Sequence, residues 1–199
     1  VSDGFLIVVL SWLLSFIFGM LPYVLWGGEF TITNAWFESV SGYTTTGATI
    51  LNDIEALPKG LLFWRSSTHF IGGLGVVVFL LLVLPSASPF RLKLSKLELS
   101  SLSREGYRSR SMKTVRIIVS VYLGITIFST LTFWILGMSF FDAVNHAFSV
   151  VSTGGFSTKN LSVSHFGSTA INYAAAFYML AASLHFGLVY SVIITHSLK

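Results

Sequence analysis

The apolar positions of this chain fall into runs of two lengths. Phe5–Trp26 carries no charged residue. Leu61–Leu84 has Arg65 and His69 near its start, Ile117–Met138 follows Arg116, and Ala170–Thr195 is interrupted by His185. Each of these four is long enough to cross a bilayer, which takes roughly 20 mainly apolar residues. Two further runs, Ala35–Thr44 and Phe141–Val151, have ten and eleven residues and are too short to cross. Both carry helix-start signals. Asn34 is placed to cap the first, with Glu38 in its opening turn. Ser139 and Asp142 have capping-box-like spacing on the second. The pattern predicts an all-α polytopic membrane protein with four transmembrane helices and two re-entrant half-helices.

The order span, half-span, Thr/Gly turn, span occurs twice. Shifting the first half by 108 positions lays Thr45 on Thr153, Gly47 on Gly155, Thr49 on Ser157 and Glu38 on His146. One further residue of slip lays Gly72-Gly73 on Ala181-Ala182. The second span of each copy runs in the same direction, so these are parallel repeats. They divide the chain into a first helix–pore-loop–helix unit (1–84), a linker (85–116) and a second unit (117–199). Inverted repeats would suggest a rocking transporter; parallel ones suggest wedges around a central pore.

Composition supports a lipid environment. The chain is 53% hydrophobic and 10% charged, against roughly 25% charged in soluble domains. With no cysteine, neither a disulfide framework nor a thiolate metal site is available. The net charge is +4, but eight of the twelve Lys and Arg residues lie between Arg91 and Arg116. That is one basic loop, not a nucleic-acid-binding face. Short basic loops are cytoplasmic. This puts the 85–116 linker and both chain ends inside and both Thr/Gly turns outside. Neither end reads as a cleaved signal peptide, and the chain reads as a piece of a longer one.

The two turns have the chemistry of a cation path. A dehydrated cation needs its water replaced by oxygens, and inward-pointing backbone carbonyls can supply them. Such a strand needs unusual dihedrals, which Gly47, Gly154 and Gly155 are expected to allow. Thr45, Thr46 and Thr153 add hydroxyls, and no Asp or Glu lies in either turn. The half-helices present their partly negative C-terminal ends to the turns, which favours a cation there. Non-helical backbone at this depth is tolerated only when buried or lining water. The expected coordinating set is Thr45, Thr46, Gly47 and Ala48 with Thr153, Gly154, Gly155 and Phe156, taking a cation as the transported ion with no other metal or cofactor.

At these residues the chain resembles the Trk/Ktr/HKT superfamily of potassium transporters, most closely the bacterial TrkH/TrkG pore-forming subunits. Glu38-Ser39-Val40-Ser41-Gly42-Tyr43-Thr44-Thr45-Thr46-Gly47-Ala48-Thr49 is similar to the family's first pore helix and filter. Leu61 through Gly75 resembles the helix that follows. Phe141-Asp142-Ala143 through Ser152-Thr153-Gly154-Gly155-Phe156-Ser157-Thr158 is similar to the second pore helix and filter. The resemblance implies four such repeats in a full subunit, each giving a quarter of the filter, with two present here. It implies a bacterial inner-membrane, multi-pass location. It also implies a cytosolic, nucleotide-binding, TrkA-like regulatory subunit and a homodimer of full-length subunits. A glycine at Gly47 and Gly155 goes with potassium preference in this family.

Other residues leave alternatives open. Arg65 either braces the pore loops by pairing with Glu38 or snorkels to the headgroups. His69 shares its face and reads as a packing or hydrogen-bonding residue. His185 reads as a neutral histidine bonded to a neighbouring helix. Gly72-Gly73-x-Gly75 is either a hinge or, as favoured here, a site of close helix contact. The basic linker suits anionic lipid as well as a partner, and most of the five tryptophans fall near the expected interfaces. Two other functions compete with permeation: a non-conducting assembly scaffold, and an intramembrane hydrolase using Ser41 or Ser39 with His69. The hydrolase lacks a spaced oxyanion donor or orienting acid, and the chain is read as no enzyme.

Overall fold

A computed structural model describes residues 2–83 and 101–183, with side chains for 6–75 and 115–183. Among the described residues there are helices and no strands. In chain order they are α1 (Ser2–Trp26), α2 (Ile32–Tyr43), α3 (Lys59–Val83), α4 (Ser101–Ile135), α5 (Phe140–Val151), a 3-10 turn (Ser162–Phe166) and α6 (Thr169–Ser183). His185 and the end of the fourth predicted span lie outside the described residues, as do linker positions 85–100.

Long apolar runs became long helices, and α1 presents apolar side chains outward along its length. Leu6, Leu10, Leu14 and Phe18 are all exposed, as expected of a helix whose solvent is lipid. Leu6–Trp26 and Val115–Ile135 each have the length and hydropathy to cross a membrane. The expectation of a basic loop reaching Arg116 is corrected in part, because residues 101–116 continue the third span as one helix of 35 residues. At 1.5 Å per residue this helix is about 52 Å long, well beyond the ~30 Å hydrocarbon core.

The half-helices start by the same device. Thr31 caps α2, its Oγ1 accepting from Asn34 N at 3.3 Å. Ser139 caps α5, its Oγ accepting from Asp142 N at 3.1 Å. Asn34, the expected cap, instead sits in the first turn and donates through Nδ2 to the Glu29 carbonyl. The reason is packing. The residue before each cap and the fifth residue after that one are both buried in a single cluster: Phe30 with Ala35, and Met138 with Ala143. These hydrophobic staples fix where the chain enters each helix.

Each half-helix lies between the two long helices of its own repeat, α2 against α1 and α3, α5 against α4 and α6. The repeats join because α3 also packs on α5 and α4. Gly72 and Gly73 make that join possible. A Cβ at Gly72 would meet the backbone of Tyr43, at the end of α2; one at Gly73 would sit 2.8 Å from Ser152 Cβ, at the end of α5. Both half-helices therefore end against adjacent glycines of one helix, which is the close-contact reading of this motif. Above them, Asn160 bridges the loops beyond the turns. Its Oδ1 accepts from Ile54 N at 2.7 Å and its Nδ2 donates to Asp53 at 2.9 Å.

Candidate ion-coordinating site

The two Thr/Gly turns are the ends of α2 and α5, and they end alike. Thr45 N donates to the Gly42 carbonyl at 3.0 Å and Thr46 N to Ser41 at 3.0 Å. In the second repeat Thr153 N donates to Val150 at 3.1 Å and Gly154 N to Ser149 at 2.8 Å. This is the Schellman arrangement, whose pivotal residue is left-handed and usually glycine. Here it is threonine both times, at φ 54° for Thr45 and 53° for Thr153. Left-handed backbone at a β-branched residue is a genuine outlier, and such strain of order 1–3 kcal/mol clusters at functional sites. Two residues later the chain is left-handed again, at Gly47 (φ 77°) and Gly155 (φ 98°).

This corrects part of the expected use of glycine. Gly47 and Gly155 do supply left-handed backbone, but Gly154 does not have positive φ. Gly154 is required for space, since a Cβ there would strike the His69 ring. The threonines carry the remaining strain.

The two turns touch. A Cβ on Gly47 would collide with the Gly154 carbonyl oxygen and lie 3.4 Å from Gly155 Cα. Among the described residues, the carbonyls of Thr45, Thr46, Gly47, Thr153, Gly154, Gly155 and Phe156 accept no hydrogen bond. Ala48 differs from these seven in that its carbonyl accepts the Ser41 hydroxyl at 2.6 Å.

Behind the turns lies a buried polar layer carried by α3. Arg65 is 1% exposed and Glu38 fully buried, with Arg65 Nη2 2.8 Å and Nε 2.9 Å from Glu38 Oε1. The brace is therefore formed and Arg65 does not snorkel. The carboxylate also accepts Thr49 Oγ1 at 2.7 Å and Ile50 N at 3.2 Å. The guanidinium donates onward to Thr49 Oγ1 at 3.1 Å and to the Ser157 carbonyl at 3.4 Å. Arg65 thus contacts both turns, and its Cζ lies 4.1 Å from the Phe156 ring centroid. One helical turn deeper, His69 stacks on the same ring, with centroids 4.0 Å apart and planes 9° from parallel. Its ring faces the Ser41 carbonyl without a bond of good geometry, and among the described residues neither nitrogen has a hydrogen-bond partner. Phe156, expected only as a carbonyl donor, is the platform on which α3 seats the second turn.

The serines proposed for hydrolysis are occupied otherwise. Ser41 donates to Ala48 and Ser39 to the Phe16 carbonyl at 2.8 Å. Neither is bonded to His69, so the nucleophile–base contact that such chemistry needs is not formed. Among the described residues no three His, Asp or Glu side chains are grouped to hold a metal ion. Outside the spanning helices, Asp142 sits in the first turn of α5. Burial alone would raise its carboxyl, but the Thr158 and Ser139 hydroxyls and the Lys159 charge outweigh burial and hold it below the usual carboxylate range.

A family model described as the TrkH cation transport protein matches residues 1–199. The chain belongs to the TrkH family. It is 38% identical over 199 residues to the Trk system potassium uptake protein TrkH of Salmonella typhimurium, a match covering 99% of this chain and 41% of that one. The TrkG protein of Escherichia coli K12 is 36% identical over 201 residues, with the same coverage of 99% and 41%. The crystal structure of the potassium transporter TrkH from Vibrio parahaemolyticus superposes with a TM-score of 0.82 at 33% identity, over 98% of this chain and 39% of that one. The chain spans about two fifths of the length of the curated relatives it matches.

Proposed function

We propose that this chain forms part of a potassium-uptake pore in a bacterial inner membrane, with the turns at 45–48 and 153–156 providing half of its selectivity filter. The observation that carries this reading is the meeting of two strained, glycine-bearing turns at Gly47 and Gly154, whose carbonyls, all but that of Ala48, are unclaimed by donors among the described residues. Left-handed residues at alternate positions let successive peptide oxygens face one side, as a chain of cation ligands requires. Ions enter from outside, exchange water for the oxygens of Thr45, Thr46, Gly47, Thr153, Gly154, Gly155 and Phe156, and pass inward. Ala48, bonded to Ser41, is the weakest contributor. The names of the relatives, potassium uptake proteins, support the choice of ion. On the same reading the basic 85–116 segment is cytoplasmic, lying on anionic lipid and against a nucleotide-binding regulatory subunit. The pore is completed by further repeats, and full-length subunits pair as a homodimer.

The test is a chimera in which residues 1–199 replace the matching segment of the Salmonella relative, assayed by rubidium uptake in a potassium-uptake-deficient strain. Gly47→Val abolishes uptake at unchanged membrane abundance, because the side chain collides with the Gly154 carbonyl. Gly155→Val, where an added Cβ meets nothing within 4 Å, reduces it less, through backbone strain of about 1–3 kcal/mol. Full uptake by the Gly47→Val chimera would refute the filter and leave an assembly role.

A further inference from the structure

Each repeat ties the exit of its turn back to the half-helix, and the two ties are built from different chemistry. In the first, Glu38 Oε1 accepts the Thr49 hydroxyl at 2.7 Å. In the second, at the positions 108 residues on, His146 Nε2 lies 2.9 Å from Ser157 Oγ. His146 is 2% exposed, and its Nδ1 lies 2.8 Å from the Asp142 carbonyl oxygen. A carbonyl only accepts, so Nδ1 carries the proton and Nε2 is left to accept from the Ser157 hydroxyl. Ser157 Oγ then accepts Lys159 N–H at 3.0 Å, as Thr49 Oγ1 accepts Leu51 N–H at 3.2 Å. The two ties share the hydroxyl bonded to the half-helix and the N–H two residues on, but one acceptor is an anion that also takes Ile50 N–H and Arg65, and the other is an imidazole. The positions matching Arg65, Tyr173 or (with one residue of slip) Ala174, carry no charge. Arg65 itself is bonded to Glu38 and reaches the second repeat at the Ser157 carbonyl and the Phe156 ring, not at His146.

Taking the turns as an ion filter, we propose that His146 is a positioning residue for ion selectivity. Locked in one tautomer by the Asp142 carbonyl, it holds Ser157 and so aims the peptide oxygens of 153–156. Ser157 directly follows Phe156, so losing its side-chain tie loosens the last carbonyls of the turn, while Thr153, Gly154 and Gly155 N–H keep the α5 end pinned and Arg65 and His69 still hold the Ser157 carbonyl and the Phe156 ring. The defect from losing His146 is therefore one of discrimination between ions of different size. It is distinct from loss of the fold.

The chimera described above is assayed for rubidium uptake with and without competing sodium, in membranes matched for protein abundance. His146→Ala and Ser157→Ala each lower the rubidium-to-sodium preference by about tenfold, the scale of one lost buried hydrogen bond, and the double variant is no worse than either single one. His146→Gln, whose amide oxygen can accept the same hydroxyl, restores the preference to within about twofold of the parent. An unchanged preference in His146→Ala, with only protein abundance reduced, overturns the proposal and makes the histidine merely structural. In that case Gly155→Ala separates the two readings. If Gly155→Ala shifts the preference and His146→Ala does not, the role of His146 alone falls. If neither shifts it, the filter itself falls.

Discussion

In the first repeat the half-helix holds its turn through a buried ion pair, Glu38 with Arg65, and the carboxylate also bonds Thr49 and Ile50. In the second repeat the same position holds its turn through a histidine bonded to one hydroxyl and one carbonyl. The backbones hardly differ. Thr45 and Thr153 lie within a degree of each other in φ, and the helix-end hydrogen bonds correspond pair by pair. Backbone shape at a helix end is set by which carbonyls must be satisfied, and the repeat preserves that. The side chains behind it are free to change provided every buried polar group still finds a partner. The charged solution is more demanding, because removing either partner leaves a buried charge uncompensated.

The sharpest way to break this comparison is to remove the charge from one repeat. Arg65→Ala or Glu38→Ala destabilises the chimera by about 3–5 kcal/mol, the usual cost of orphaning a buried ion. The double variant costs clearly less than the sum of the two. Thermal unfolding in detergent checks this; additive costs would mean that the pair is not coupled. His146→Ala, which orphans no charge, costs about 1–2 kcal/mol in the same measurement.

A smaller effect tests the shared strain. Replacing Thr45 or Thr153 with glycine relieves a left-handed β-branched residue at the position where Schellman ends prefer glycine, and stabilises the protein by about 1 kcal/mol. The gain should be the same in both repeats and should come with lower ion discrimination, because the threonine side chains are lost from the turn. Opposite signs in the two repeats would show that the turns are not equivalent.

The smallest expected effect is in pH. Asp142 has no counterpart in the first repeat, where Asn34 stands 108 residues earlier. Its folded-state carboxyl is held below its unfolded value. Its stabilising contribution is therefore complete above the ordinary carboxylate range and is lost only as pH falls through the lower folded value. The melting temperature owes nothing to Asp142 titration between pH 8 and pH 5, within the range about which a carboxylate stays ionised. Asp142→Asn flattens the fall in more acidic buffer. A change between pH 5 and pH 8 that vanishes in Asp142→Asn would contradict this assignment.

The sequence by itself determined which runs are helices, which are long and which short, and the internal repeat, though not that residues 101–116 extend the third span. Bilayer thickness converts apolar run length directly into crossing or not crossing, and a repeat of residues needs no structure to be seen. The same 108-residue shift carries Ser139 onto Thr31, the true cap, not onto Asn34; Thr31, Thr33 and Asn34 all offer capping oxygens. Burial of Phe30 against Tyr23 decided among them. Tertiary structure alone decided three things: that Arg65 turns inward to serve both repeats, that Phe156 is the platform under Arg65 and His69, and that Gly47 abuts Gly154. Each joins groups far apart in the chain. Whether a buried charge, a ring or a bare Cα is tolerated there depends on what the opposite repeat presents, and local sequence pattern carries no record of that partner.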